Sequence, residues 1–145
     1  MKLKIIDMKS QKKNYLFHPK VIKNHHGNPD LLRIHLTPEY TKIDFGYVAK
    51  DIYINGGWIR IAPETFIENK ITKKRYTLVN AENIPIAPMH HYFETKKDWR
   101  FFSLLFPPIP QNDCVLNIIE IENGNSNDFN YYNIELKISD GIEVI

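Results

Sequence analysis

Two pairs of adjacent histidines, His25-His26 and His90-His91, are the residues in this chain best suited to metal chemistry. Imidazole is the commonest transition-metal ligand, and two pairs offer four ring nitrogens. Their spacing works against a shared ion. Neighbours on a strand point to opposite faces, so a pair seldom turns both rings to one metal. No cysteine or carboxylate completes a zinc-binding pattern around them. They read as loop histidines, and neither a metal nor a cofactor is expected. The single cysteine, Cys114, would serve as a nucleophile only if His90 or His91 came within hydrogen-bond reach of its sulfur. Its setting suits packing instead. A lone cysteine entering a strand behaves as a small apolar residue, and the adjacent Asp113 would raise a thiol pKa. Ser10, Ser103 and Ser126 lie in no nucleophile-elbow motif. Gly56-Gly57 reads as a turn, not a phosphate loop. No catalytic set emerges, and a non-enzymatic chain is expected.

The aromatics allow binding. Eight Tyr, eight Phe and two Trp suffice to line a groove for sugar rings or bases. Basic residues interleave with them in Lys73-Lys74-Arg75-Tyr76 and in Lys96-Lys97-Asp98-Trp99-Arg100, a pattern able to stack bases and contact phosphates. The same pattern describes strand ends, where lysine guards an edge and aromatics fill a core. A net charge of only +2 favours that second reading. Charge is unevenly spread. Lys2, Lys4, Lys9, Lys12, Lys13, Lys20 and Lys23 crowd the start, while Glu120, Glu122, Asp128, Glu135, Asp140 and Glu143 lie toward the end. The basic start reads as a solvated arm. The expected interaction surface comprises Trp58, Arg60, Tyr92, Trp99 and Arg100.

The elements that must position these residues are strands. From Leu31, the apolar Leu32, Ile34 and Leu36 alternate with Arg33, His35 and Thr37, which is the period of a half-buried strand. Pro38-Glu39-Tyr40 turns the chain, and Ile43, Phe45 and Tyr47 then alternate with Lys42, Asp44 and Gly46, so a hairpin or meander is predicted. Asn55-Gly56-Gly57 is a turn, since glycine accepts positive φ. It leads into Trp58-Ile59-Arg60-Ile61, with Ile59 and Ile61 on one face. Ile84 to Pro88 reads as an edge or a loop because Pro85 lacks an amide donor. Trp99 to Phe106 is apolar on both faces, as a central strand would be, and Pro107-Pro108-Ile109-Pro110 stops it. Tyr132, Ile134, Leu136 and Ile138 alternate near the end, and Ile142 to Val144 makes a short last strand. A helical turn is expected near Pro63-Glu64-Thr65. No long window carries the spacing of an amphipathic helix, and nine scattered prolines would interrupt one.

These strands fit one all-β domain. At 145 residues, with 43% hydrophobic and 25% charged, the chain is long enough to bury a core without a disulfide. The predicted architecture is a single immunoglobulin-like antiparallel β-sandwich of about seven to nine strands. It is preceded by a basic segment over 1–30 that is partly irregular or adds an edge strand, with the sandwich proper over 31–145. The first residues lack a signal peptide's long apolar core, and no run is long enough to span a bilayer. Taken as given, the sequence is expected to be cytoplasmic.

Five stretches in order carry a resemblance: Asn55-Gly56-Gly57-Trp58-Ile59-Arg60-Ile61, Tyr76-Thr77-Leu78, Glu82-Asn83-Ile84-Pro85-Ile86, Phe102-Ser103-Leu104-Leu105-Phe106-Pro107-Pro108-Ile109-Pro110 and Ile118-Ile119-Glu120. From about Leu31 to Glu122 the chain resembles an uncharacterised bacterial β-sandwich module found beside thioredoxin-like, trypsin-like or caspase-like domains. The resemblance implies an immunoglobulin-like fold and an accessory role in targeting or protein contact, with no catalytic residues. A protein partner is therefore the leading expectation. The alternatives are nucleic-acid binding through the basic start, carbohydrate binding through Trp58, Trp99 or Tyr92, and a hydrolase built on Cys114.

Overall fold

A computed structural model describes residues 13–20, 29–50, 52–124 and 128–144. His25-His26 and most of the basic arm lie outside these residues. The described chain is built from β1 (Asn14–Phe17), β2 (Asp30–Leu36), β3 (Thr41–Val48), β4 (Trp58–Ile59), β5 (Phe66–Asn69), β6 (Arg75–Thr77), β7 (Asn80–Glu82), β8 (His91–Tyr92), β9 (Trp99–Phe106), β10 (Cys114–Ile119), β11 (Tyr131–Leu136) and β12 (Ile142–Val144), with one 3-10 turn at Ile138–Asp140. Every strand pair is antiparallel. Six strands form one sheet in the order β12-β1-β2-β3-β9-β7, four form a second in the order β11-β10-β5-β6, and β4 pairs with β8 alone. Among the described residues twelve strands stand where seven to nine were predicted. The surplus is short: β4 and β8 have two residues each, and β6, β7 and β12 three.

Alternation sets which side chains meet. In β3, Thr41, Ile43, Phe45 and Tyr47 are buried, and the first three face Phe106, Leu104 and Phe102 of β9. Leu116 and Ile118 of β10, Ile67 of β5 and Tyr131, Ile134 and Leu136 of β11 supply the second sheet's share of one apolar core. Phe45 ties the two sheets together, stacking on Phe102 at 5.1 Å and meeting Tyr131 across the gap at 5.5 Å. Each such ring contributes about 1.5–3 kcal/mol by leaving water.

The structure departs from simple alternation at two bulges. Register shifts between Leu31 and Arg33, which turns Leu32 outward. A second shift between Leu116 and Ile118 accompanies Asn133 at φ 58, and Asn133 gives its N–H to the Asn117 side chain. Consequently Tyr131, not Tyr132, enters the core, where its hydroxyl donates to the Pro29 carbonyl at 2.6 Å. Pro63-Glu64 makes a turn, not a helix: Thr65 closes it with its N–H and its hydroxyl, both donated to the Ala62 carbonyl. The Pro85 segment is no strand, but it bonds in parallel to Ile61 through Pro85 and Ala87. β9 ends at Phe106, before the proline run, and Thr41 holds the Pro107 carbonyl.

The turn before β4 depends on glycine. Gly56 and Gly57 have φ of 84° and 78°, a region most L-residues avoid. A Cβ on Gly56 would lie 2.6 Å from the Thr95 carbonyl oxygen, and one on Gly57 would strike the Tyr53 ring at 2.9 Å. Trp58 follows directly, so this turn sets its position.

Candidate functional site

β4 and β8 pair Trp58 with Tyr92 and Ile59 with His91. Trp58 and Tyr92 are exposed, and His90 binds them into one cluster. The His90 ring lies edge-on to Trp58 at 4.3 Å and nearly parallel to Tyr92 at 5.7 Å. The Arg60 guanidinium covers Trp58 at 5.0 Å and reaches His90 Nε2 at 3.2 Å. An arginine N–H only donates, so in this contact Nε2 is the acceptor.

His91 points the other way, as its place next to His90 on a strand requires. It packs edge-on to Phe93 at 5.2 Å, and its Nε2 accepts from Arg100 at 3.1 Å. Burial first, then the Arg100 charge, holds its pKa below the ordinary histidine value. Arg100 also donates twice to Asn83. The two rings of the His90-His91 pair are thus spent on two different arginines. Among the described residues, no three His, Cys, Asp or Glu side chains group to hold a metal.

The structure gathers only part of the expected surface. Trp58, Arg60 and Tyr92 form one cluster, and Arg100 braces it from behind through His91. Trp99 stands apart. It pairs with Val48 at the end of the β3–β9 ladder, both exposed, and among the described residues it makes no ring contact with Trp58 or Tyr92. Cys114 is half-buried opposite Leu136, and burial followed by Asp113 pushes its thiol pKa up. Among the described residues no hydrogen bond joins it to a histidine. The segment around Arg75 is held within the molecule, with Arg75 over Phe66 at 4.3 Å and bonded to both Glu68 and Glu122. Lys74 lies over Tyr76.

Trp58 also walls a cleft of about 560 Å³, within the usual range of a small-ligand site. Tyr53 and Ile121 stand on its sides, and Tyr47 and Phe129 lie deeper. Glu120 is buried at its base. Its Oε2 accepts the Ala62 N–H and its Oε1 the Phe129 N–H, each at 2.9 Å. Burial raises its pKa, and nearby Asp128 adds to the rise. The two amides and Arg60 act the other way without reversing it. Asn130 fixes the same loop by accepting the Glu120 N–H and donating to the Ile121 carbonyl. Burial, then Tyr53, raises the Tyr47 hydroxyl.

Sequence reading missed Glu120 and a second buried carboxylate, Asp44. Asp44 lies on the outer face of the large sheet and is covered by its neighbours. Ser103 Oγ donates to Oδ1 at 2.5 Å, and Arg33 Nε and His35 Nε2 reach Oδ2 at 2.5 and 3.0 Å. The signal for this cluster was present: the β2–β3 hairpin puts the polar positions Arg33 and His35 beside Asp44. Glu120 had a fainter one, a charge directly after the apolar run Ile118-Ile119.

Among the described residues, no helix is long and apolar enough to cross a membrane. No protein-family model matches the chain, and no curated protein or solved structure matches it.

Proposed function

We propose that this chain is a non-catalytic accessory module, an immunoglobulin-like β-sandwich that engages a protein partner through Trp58, Arg60 and Tyr92. The fold assignment draws support from two antiparallel sheets sharing one core and from the sequence resemblance over Leu31 to Glu122. The observation that carries the functional reading is the exposed Trp58–Tyr92 pair, held by His90 and Arg60, with Trp58 and Arg60 also lining a cleft. Tryptophan, tyrosine and arginine are the residue types that most often dominate interface energies. Rings already fixed in place lose little entropy on binding. The half-buried, raised-pKa Cys114 supports a packing role for that residue rather than a nucleophilic one.

Light scattering after size-exclusion chromatography, followed by affinity capture from the source lysate, tests this reading. The expected result is a defined complex that the double variant Trp58→Ala/Tyr92→Ala fails to form. A solitary monomer that captures nothing would overturn it. The same exposed residues support a second reading, carbohydrate binding, in which a sugar ring stacks on Trp58 or on Tyr92 singly, since the two rings stand steeply to one another, 82° and 22° from His90. Saturable glycan binding that is lost in the same double variant would favour that reading instead.

A further inference from the structure

We infer that the cleft beside Trp58 receives a lysine or arginine side chain of the partner, a proposal that rests on the interface reading above. The charge of the cleft is the first argument. Its described lining residues include the carboxylates Glu64, Glu120 and Asp128 and the cations Lys50 and Arg60. With every one of these groups ionised, the lining carries one more negative than positive charge, and burial sets Glu120 against carrying its share until a cation arrives. Arg60 is also turned toward the rim, where it covers Trp58 and bonds to His90.

The second argument is the lining's shape. Tyr53 and Trp58 present rings on the cleft walls, with Tyr47 and Phe129 behind them. Aromatic faces attract a cation through their quadrupole, most strongly where water is excluded. Glu120 at the base uses one lone pair of each oxygen on a backbone N–H, and each oxygen keeps a second. The molecule already combines these parts elsewhere. Arg75 lies over Phe66 while bonding to Glu68 and Glu122, and this groove shares Glu64, Glu120 and Ile121 with the larger cleft. An arriving guanidinium or ammonium would meet the same combination of ring and carboxylate. It would also relieve the buried Glu120 carboxylate, whose ionised form is disfavoured.

Titration of the full chain with acetyl-Gly-Arg-Gly-amide, followed by tryptophan fluorescence and calorimetry, tests the inference. The control is the same peptide with citrulline, which keeps the shape and removes the charge. We expect saturable binding that weakens with salt and is at least about tenfold weaker for the citrulline peptide. Tyr53→Ala and Asp128→Asn should each reduce it severalfold, with an unchanged melting temperature showing that the variant has folded. Equal binding of the two peptides, or no saturable binding, would overturn the cation proposal. If Trp58→Ala/Tyr92→Ala still abolishes partner capture in that case, the interface reading stands and only the cleft's occupant is wrong. If the arginine peptide binds and no partner is captured, the interface reading falls, and with it the claim that the cation belongs to a partner, leaving only a cation-binding cleft.

Discussion

Asp44 on the large sheet and Glu120 at the base of the cleft are both buried carboxylates, and their surroundings push them in opposite directions. Burial raises the pKa of each. At Asp44 this is outweighed by Ser103, Arg33 and His35, which hold it below the ordinary aspartate range. At Glu120 the close donors are two backbone amides, whose dipoles do not outweigh burial and the nearby Asp128. At Asp44 the largest opposing cause is the Ser103 hydroxyl, followed by Arg33 and His35, and together they outweigh burial, whereas at Glu120 the two amides leave the pKa raised. The sheet face thus holds its acid below the ordinary range, and the cleft holds its acid above it.

The largest effect should come from cutting the Glu120 clamp. Glu120→Ala strands the buried Ala62 amide, at about 1–3 kcal/mol, and the half-buried Phe129 amide, which costs less because water can reach it. Urea denaturation should show a loss of roughly 2–4 kcal/mol; a loss below about 1 kcal/mol would mean that water or a neighbour replaces the carboxylate. Ser103→Ala should cost about 1–3 kcal/mol, because it leaves Asp44 Oδ1 buried without its donor. It should also raise the Asp44 pKa, measurable by carboxyl NMR. Arg33→Ala should cost less, about 0.5–1 kcal/mol, because the Arg33 side chain is 42% exposed and water screens the pair.

The smallest effect is a difference in pH dependence. The depressed Asp44 pKa contributes stability that is complete above the unfolded value near 4 and is lost as pH falls through the folded value below it. Glu120 has the reverse sign. Its raised pKa contributes stability that is complete below the unfolded value and is lost as pH rises from there through the folded value. Melting temperatures across this range should change slope differently in Asp44→Asn, which removes the acid-side loss, and in Glu120→Gln, which removes the loss toward neutral pH. Identical profiles for the two variants would erase the contrast.

How much of this was legible in the sequence varies by element. β3 was plain because alternation leaves one register that buries Ile43 and Phe45, and β9 because a run apolar on both faces marks a central strand. Leu32 and Tyr132 were misread as inward because one extra residue at a bulge flips every side chain beyond it. The Trp58–His90–Tyr92 cluster was half visible. Residue types marked Trp58, Arg60 and Tyr92, but their meeting depends on a two-residue pairing across more than thirty positions, which no local period reports. Trp99 carried the same signal and belongs to another face. Glu120 was hidden because its partners, Ala62 and Phe129, contribute only backbone amides, which every residue except proline has.

The most direct measurement compares two exposed tryptophans, one beside the cleft and one on the sheet that holds Asp44. The captured partner's affinity would be measured for Trp58→Ala and for Trp99→Ala, each verified as folded by its melting temperature. The account predicts a loss of at least about tenfold for Trp58→Ala and wild-type affinity for Trp99→Ala. Equal losses, or a loss confined to Trp99→Ala, would place recognition on the sheet face and contradict it.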